Sequence, residues 1–268
     1  MLQTQPVGNL LREWRKRRRL SQLDLACEAD ISTRHLSFVE TGRSQPSRDM
    51  VLHLAERLDI PLRERNILLI AAGYAPVFSE RSLEDPLLHP ARKIIDMALA
   101  VHEPFPALAI DRHWTLLAAN RAIKPFMKAS DKALLTPPIN VLRLSLHPSG
   151  LASRIANFSE WRTHILTRLR HQIDVSSDLV LVDLLHELSG YPIANSAVVE
   201  NLSLTHDISG IAIPLQFITD DGVLSFLSTT TVFGTPVEIT LSEIAIESFF
   251  PADTRTADIC RQLAAHQD

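Results

Sequence analysis

Residues 21–43 read SQLDLACEADISTRHLSFVETGR, and their pattern predicts two short helices joined by a tight turn. Ser21 and Ser32 each stand directly before a helical pattern, where a serine hydroxyl accepts a hydrogen bond from an amide of the first turn. The second helix would bury Leu36 and Val39, which are three residues apart. A glycine follows three residues later, where a left-handed backbone is favoured. The stretch therefore predicts a helix-turn-helix.

The outward side of the second helix is the side that a helix-turn-helix lays in the major groove of DNA. Four side chains near the start of that helix can reach base edges: Thr33, Arg34, Ser37 and Phe38. Arg34 would favour guanine, through a bidentate contact worth ~1–3 kcal/mol of discrimination. Phe38 either meets a thymine methyl or packs on its neighbours. The remaining candidates, for contacts to phosphate or for covering the turn, are Gln22, Ser32, His35, Arg43 and Arg48.

Residue by residue, the stretch resembles the lambda-repressor-like (XRE) class of DNA-binding domain. The matching positions are Ser21-Gln22, Leu25-Ala26, Ile31-Ser32, Leu36, Val39-Glu40 and Gly42. The resemblance implies an all-helical domain. It also implies an ion pair between Arg15 and Glu40, which would lock the first helix to the second helix of the motif. Taken alone, the helix pattern also fits an ordinary helical hairpin in an all-helical protein.

Length and composition indicate a globular protein of about two domains. The chain has 268 residues, of which 46% are hydrophobic and 22% are charged, values ordinary for a globular protein. Its two cysteines are far apart in sequence and lack a metal-type spacing, which suits a reducing compartment. Neither a signal-peptide pattern nor an apolar run of membrane-spanning length is present. We therefore expect a cytoplasmic protein that has no membrane contact.

Charge is divided unevenly along the chain. Residues 1–76 hold 12 Lys and Arg against 9 Asp and Glu, a net charge of +3, whereas the remainder holds 15 against 22, a net charge of −7. A basic end on an acidic body indicates a polyanion partner for the first domain only.

The sequence predicts three segments and an α+β fold. They are a helix-turn-helix domain at 1–76, a linker and connecting helix at 77–105, and a second domain at 106–268. The connecting helix, at 90–101, has an apolar stripe of Ile94, Ile95, Met97, Ala98 and Val101. This stripe either pairs with its copy in a homodimer or packs on the second domain of the same chain.

The second domain is predicted to be α/β with an antiparallel sheet. Its predicted strands are 106–111, 114–119, 208–218 and 223–233, and its predicted helices are 120–127, 140–146, 159–173, 178–188 and 254–265. Residues 219–222 join two of the strands as a hairpin turn. Residues 237–250 fit either a helix opened by a capping box or a strand, and the alternation around Ile244 and Ile246 favours the strand.

This domain is similar to the ligand-binding domain of MmyB-like transcription regulators, and it has the order of a PAS-like sensor. The matching stretches are PALAIDRHWTLLAANRA at 106–122, NVLRLSLHPSGLASRIANFSEW at 140–161 and ITLSEIAIESFFPAD at 239–253. Together, the two family resemblances cover nearly the whole chain. Together the two imply a bacterial transcription factor whose effector is undefined.

Residues that would carry catalysis are not apparent. The sequence has neither a Gly-x-Ser-x-Gly elbow nor a glycine-rich phosphate loop. His164 and His171 lie seven residues apart on one predicted helix, but acidic or cysteine partners are not nearby in sequence. We therefore expect no catalytic residue, no metal site and no cofactor, and we expect that the protein is not an enzyme.

The second domain is rich in large apolar residues whose default location is a dry core. Our hypothesis is that some of them line a cavity for a small apolar ligand such as a fatty acid. The candidates are Leu142, Leu144, Phe158, Trp161, Ile165, Phe217 and Phe226.

These observations predict a sequence-specific transcriptional regulator that binds double-stranded DNA, senses a small apolar effector and forms a homodimer. Two alternatives stay open. One is an enzyme that carries a DNA-binding domain, which a buried polar cluster in a cleft would favour. The other is an adaptor or antitoxin-like protein whose second domain binds a protein partner, which an exposed apolar patch would favour over an enclosed pocket.

Overall fold

The computed structural model describes residues 5–128, 130–192 and 212–266. The chain forms two compact units. The first holds residues 1–81, 174–176 and 235–242, and the second holds 82–173, 177–234 and 243–268. Helices precede a region that combines helices with an antiparallel sheet, so the predicted α+β class is confirmed. Within the described residues, a helix both long and apolar enough to cross a membrane is not found.

Helices α1 to α5 make up most of the first unit. They are α1 (Val7–Arg17), α2 (Gln22–Glu28), α3 (Thr33–Glu40), α4 (Arg48–Arg57) and α5 (Leu62–Ala71). The hydroxyls of Ser21, Ser32 and Ser47 each accept a hydrogen bond from the backbone N–H three residues further on, at 3.1 to 3.2 Å. Gly42 follows α3 with a φ of 72°, a conformation that glycine adopts without steric strain. Serine caps and a terminal glycine therefore set the limits of the two motif helices.

The apolar sides of these helices share one core. Its fully buried members include Leu11, Leu25, Leu36, Val51, Leu54, Ala55 and Leu69. Close approach of α1 to the end of α3 depends on Gly8, because a Cβ there would lie 2.3 Å from the carbonyl oxygen of Val39. Helix α1 can therefore cross the end of α3 only because it lacks a side chain at this point.

The first unit also includes residues 235–242, far along the sequence. The buried Glu238 carboxylate accepts hydrogen bonds from the backbone N–H groups of Arg81 (2.7 Å) and Leu241 (3.0 Å). The hydroxyl of Thr240 donates to the carbonyl of Arg81 at 2.6 Å. This late segment is thus fixed to the end of the N-terminal helical region.

The second unit is built on a five-stranded antiparallel sheet of order β2-β1-β5-β4-β3. The strands are β1 (Ala107–Ile110), β2 (Leu116–Ala119), β3 (Leu215–Thr219), β4 (Gly222–Val232) and β5 (Ala245–Pro251). The other α-helices of the described chain are α6 (His89–Val101), α7 (Lys124–Met127), α8 (Val141–Leu146), α9 (Phe158–Ser176), α10 (Leu179–Ser189), α11 (Ile239–Ser242) and α12 (Thr254–Ala265).

Residues 237–250 contain both a helical turn and a strand, but the helix begins before Thr240 and is not opened by the proposed capping box. Helix α11 covers Ile239–Ser242, and β5 begins only at Ala245. The preference for a strand throughout is therefore wrong for the first part. There, the Glu238 carboxylate satisfies the N–H of Leu241 and closes a helical turn.

The predicted strand at 208–218 is shorter in the structure. Strand β3 begins at Leu215, whereas residues 208–211 lie outside the described residues. The hairpin turn at 219–222 is confirmed, since β3 ends at Thr219 and β4 begins at Gly222. Gly222 has a φ of 114°, which a residue with a side chain adopts only with strain.

Candidate functional site

A buried ion pair fixes α3 from its inner side. Arg15 Nε donates to Glu40 Oε1 at 2.6 Å, and Arg15 Nη2 donates to Glu40 Oε2 at 2.9 Å. Their side chains are only 9% and 1% exposed. The ion pair that the family resemblance implied is therefore confirmed, and its bidentate geometry sets the orientation of α3 as well as its position.

Glu40 also accepts a hydrogen bond from the side-chain amide of Gln22, at 2.8 Å. Burial alone would raise the pKa of Glu40, but the hydrogen bonds from Arg15 and Gln22 outweigh it and hold that pKa below its ordinary value. Gln22 was expected to touch a phosphate. In the structure its amide nitrogen is turned toward Glu40, and a role at phosphate stays a prediction.

The outward side of α3 is open at its N-terminal end. Ser32, Thr33 and Arg34 are exposed, whereas Ser37 and Phe38 are half-buried. The opposite side holds the buried Leu36, Val39 and Glu40. The side chains expected to reach base edges therefore share one accessible surface, which we call the reading face (Thr33, Arg34, Ser37 and Phe38).

Two arginines flank the aromatic ring of the reading face. The guanidinium carbon of Arg34 lies 5.3 Å from the Phe38 ring centroid, and that of Arg43 lies 6.0 Å from it. The carbonyl of Phe38 accepts hydrogen bonds from the N–H groups of Arg43 (2.8 Å) and Ser44 (3.1 Å). These bonds fold the chain after α3 back toward the ring.

The remaining predicted DNA contacts border this surface. Arg43 and Arg48 are exposed, and both cations are therefore accessible to a phosphate. The Ser32 hydroxyl is engaged as the cap of α3, where it accepts from the His35 N–H at 3.1 Å. His35 is half-buried, which fits either of its expected positions, near a phosphate or over the turn.

The second unit contains an apolar cavity of about 120 Å³, which is lined by its sheet and helices. Most of the predicted ligand-binding residues line it, namely Leu142, Leu144, Trp161, Ile165, Phe217 and Phe226. Phe158 is instead fully buried in the core of this unit and does not form part of the cavity wall. Further lining residues include Leu108, Leu116, Phe126, Met127, Leu151, Ile155 and Phe249.

One corner of the cavity is charged. Arg168 donates to the carboxylate of Glu247 and, at 2.9 Å, to the hydroxyl of Thr230. Its guanidinium carbon also lies 4.6 Å from the ring centroid of Trp114. Trp114 is held in turn by a 2.8 Å hydrogen bond from its indole nitrogen to Gln172. The corner therefore presents a paired, nearly neutral polar group to an otherwise apolar space.

The sequence alone gives no indication of this charged corner. Arg168 and Glu247 are 79 residues apart, and no local pattern connects a helix residue to a strand residue at that distance. Trp114 was placed on a returning strand, but it has a φ of 67° and precedes β2. Such a backbone is unusual for a bulky residue, and the single sequence offers no sign of it.

The two histidines considered as ligands differ in their surroundings. Burial, together with the nearby Arg168 charge, lowers the pKa of His164, whose ring packs on Trp161 with centroids 5.5 Å apart. His171 is exposed. Over the described ranges, His, Cys, Asp and Glu side chains do not form a group of three or more that could hold a metal ion.

The fold and the two sites define a class of protein: one that joins a helix-turn-helix unit to a second unit with an apolar cavity. The family model for the MmyB-like transcription regulator ligand binding domain matches residues 91–263, and a helix-turn-helix model matches residues 11–65. The chain belongs to the family of MmyB-like transcription regulators.

A curated relative has the same general description. It is described as an HTH-type transcriptional regulatory protein from Methanoculleus marisnigri and is 35% identical over 128 residues. The matched region is 46% of this chain and 41% of the relative. The chain therefore spans well under half the length of that relative.

Proposed function

We propose that this protein is a homodimeric transcriptional regulator that reads double-stranded DNA with α3 and responds to a small apolar ligand bound in the cavity. The observation that carries the proposal is the exposed reading face, fixed from behind by the buried Arg15–Glu40 pair. A helix held in this way can enter a major groove without losing its contacts to the rest of the unit. The net charge of +3 on residues 1–76 favours approach to a polyanion.

The side chains divide into two roles. Thr33, Arg34, Ser37 and Phe38 read base edges, and Arg34 favours guanine. Gln22, Ser32, His35, Arg43 and Arg48 set the position of the unit on the phosphate backbone, which carries no sequence information. One recognition helix is too small for a specific site, so two copies would read half-sites about 34 Å apart.

The DNA proposal is tested by selecting duplexes that the full-length protein retains from a random pool. We expect enrichment of a two-fold symmetric sequence with guanine in each half-site. Sequence-specific binding would be overturned if the protein retained duplexes without enriching any sequence, or if it retained no duplex even at low salt. A matched selection with Arg34→Ala should lose the guanine.

The cavity supports a ligand with an apolar body. Its volume of about 120 Å³ is close to that of an engineered apolar cavity of about 150 Å³ that binds benzene. A ring or a short alkyl chain would fit this space, and a longer fatty-acid-like molecule would have to extend beyond it or displace side chains. Burial of about 25 cal/mol per Å² of apolar surface would supply the affinity.

A ligand screen tests this part of the proposal. Aromatic compounds and fatty acids of increasing chain length are added to the purified protein, and binding is followed by thermal shift and native mass spectrometry. Ile165→Ala removes a side chain from the cavity wall, whereas Leu166→Ala removes a buried neighbour on α9 that does not line it. We expect only Ile165→Ala to change the preferred ligand size. A screen without any hit, or an equal change in both variants, would contradict the proposal.

The dimer proposal rests on α6, whose predicted stripe splits into two sides. Ile95 is buried, at 0% exposed, together with Leu99, which was not part of the predicted stripe and is 3% exposed. Ile94, Met97 and Val101 are 55%, 64% and 83% exposed. Both sequence interpretations of this helix thus have support, because one side packs in its own unit and the other is left for a second copy. A different protein partner on the same side is the competing outcome.

A further inference from the structure

Arg34 and Phe38 lie four residues apart on α3, so their side chains share one side of the helix. The Arg34 guanidinium carbon is 5.3 Å from the Phe38 ring centroid, within the range of a cation–π contact. The two residues are therefore already in contact with each other in the protein alone.

Phe38 does not owe its position to the hydrophobic core. It is half-buried, and the apolar residues that form or pack against the described core of the first unit do not include it. The guanidinium groups of Arg34 and Arg43 lie beside its ring. The aromatic ring thus contacts charged side chains of the DNA-facing surface, and part of the ring remains accessible.

A guanidinium group that lies beside an aromatic ring can still donate its N–H groups to guanine O6 and N7. A free arginine side chain loses much rotamer freedom when it binds, and one held beside a ring has lost part of it already. Phe38 therefore prepares Arg34 to donate both hydrogen bonds.

We propose, resting on the DNA-binding function above, that Arg34 and Phe38 form one unit that selects a guanine together with an adjacent thymine. Arg34 donates to the guanine, and the accessible part of the Phe38 ring contacts the C5-methyl group of the thymine beside it in the major groove. Because the two side chains touch, the two base preferences are coupled, and loss of the ring weakens both.

The test uses the half-site selected by the full-length protein and two versions of it that each carry one altered base. Guanine is replaced by 7-deazaguanine, which lacks the N7 acceptor, and thymine is replaced by uracil, which lacks only the methyl group. Affinities are measured by fluorescence anisotropy at fixed salt. For the wild type we expect a loss of about tenfold for 7-deazaguanine and about fourfold for uracil.

Three variants resolve the role of the ring. Phe38→Leu keeps an apolar side chain but removes the ring, and we expect both DNA changes to lose most of their effect. Phe38→Tyr keeps the ring and should retain both effects. Arg17→Ala is the matched control, because it removes another arginine–aromatic contact, 5.1 Å from the Trp14 ring, and should leave both base preferences unchanged.

The outcomes separate this inference from the function on which it rests. If the wild type binds no duplex, the DNA-binding proposal fails and this inference fails with it. If the wild type binds its selected site but uracil has no effect, or if Phe38→Leu keeps the full 7-deazaguanine effect while its circular dichroism spectrum is unchanged, only the coupled reading unit is overturned. A selected half-site without a guanine and thymine side by side overturns it as well.

Discussion

At the scale of single residues, the Arg15–Glu40 pair decides how firmly α3 is held. We expect Arg15→Ala to lower the free energy of unfolding by ~3–5 kcal/mol, because it leaves a carboxylate buried without its cation. Urea denaturation followed by circular dichroism measures the change. The double variant Arg15→Met with Glu40→Leu removes both charges and should recover most of the loss. If Arg15→Ala unfolded with the same urea midpoint as the wild type, the pair would not stabilise the fold.

The same pair predicts an acid sensitivity. The pKa of Glu40 is lower in the folded protein than in the unfolded chain, so its carboxylate stabilises the fold fully above its ordinary pKa of about 4.3. That contribution is lost as the pH falls through the lower, folded value. The difference in unfolding free energy between the wild type and Glu40→Gln should therefore be largest near neutral pH and shrink below about pH 4. A difference that does not vary with pH would contradict this assignment.

The sequence allowed some of these single-residue roles to be predicted, but not others. The pairing of Arg15 with Glu40 followed from the resemblance, and the structure shows it. The hydrogen bond from Gln22 to Glu40 was not predicted, because a side-chain amide at the start of a helix can face either solvent or a neighbour. The sequence also left two positions open for Phe38, and its proximity to Arg34 and Arg43 was found only in three dimensions.

At the scale of elements, capping residues made the helices of the first unit predictable. Ser21, Ser32 and Ser47 each satisfy a first-turn amide, and these are local interactions that a sequence shows directly. The segment 235–242 was not predictable in this way. It forms hydrogen bonds with Arg81, which is 157 residues from Glu238 and 159 residues from Thr240 in the sequence. The strand indicated by the alternation around Ile244 and Ile246 was therefore extended to an earlier segment, which a distant contact holds as a helical turn.

Helix α6 gives the prediction that belongs to this scale. Met97 lies between Ile94 and Val101 along its exposed apolar side, so Met97→Glu should shift the protein from dimer toward monomer in size-exclusion chromatography with light scattering. Ala100→Glu introduces the same charge on another exposed part of α6 and should leave the dimer intact. If the wild type is a monomer at micromolar concentration, or if both variants dissociate equally, α6 is not the dimer contact.

At the scale of the whole molecule, the sequence predicted the order of the parts better than it predicted the cavity. Apolar residues from α8, α9 and the sheet converge on one space, and their hydrophobicity was enough to propose them as candidates. The same criterion included Phe158, which lies in the dry core, because hydrophobicity alone does not separate a cavity wall from a packed interior. The polar corner of Arg168 and Glu247 depends on the tertiary fold and had no counterpart in the sequence pattern.

The charge distribution also acts on the whole molecule. The first 76 residues carry a net charge of +3 and the rest carry −7. We therefore expect DNA to bind only at the helix-turn-helix unit. We also expect added salt to weaken this binding steeply.

The most direct test of the account is a salt titration of full-length protein on its selected duplex and on a scrambled duplex of the same length. The wild type should prefer the selected duplex. Arg34→Ala should weaken binding to the selected duplex and leave binding to the scrambled duplex nearly unchanged, so that its preference is smaller than that of the wild type, whereas Arg43→Ala should weaken binding to both by the same factor and reduce the salt slope by about 1. Equal affinities of the wild type and Arg34→Ala on each duplex would show that the reading face of α3 does not read DNA.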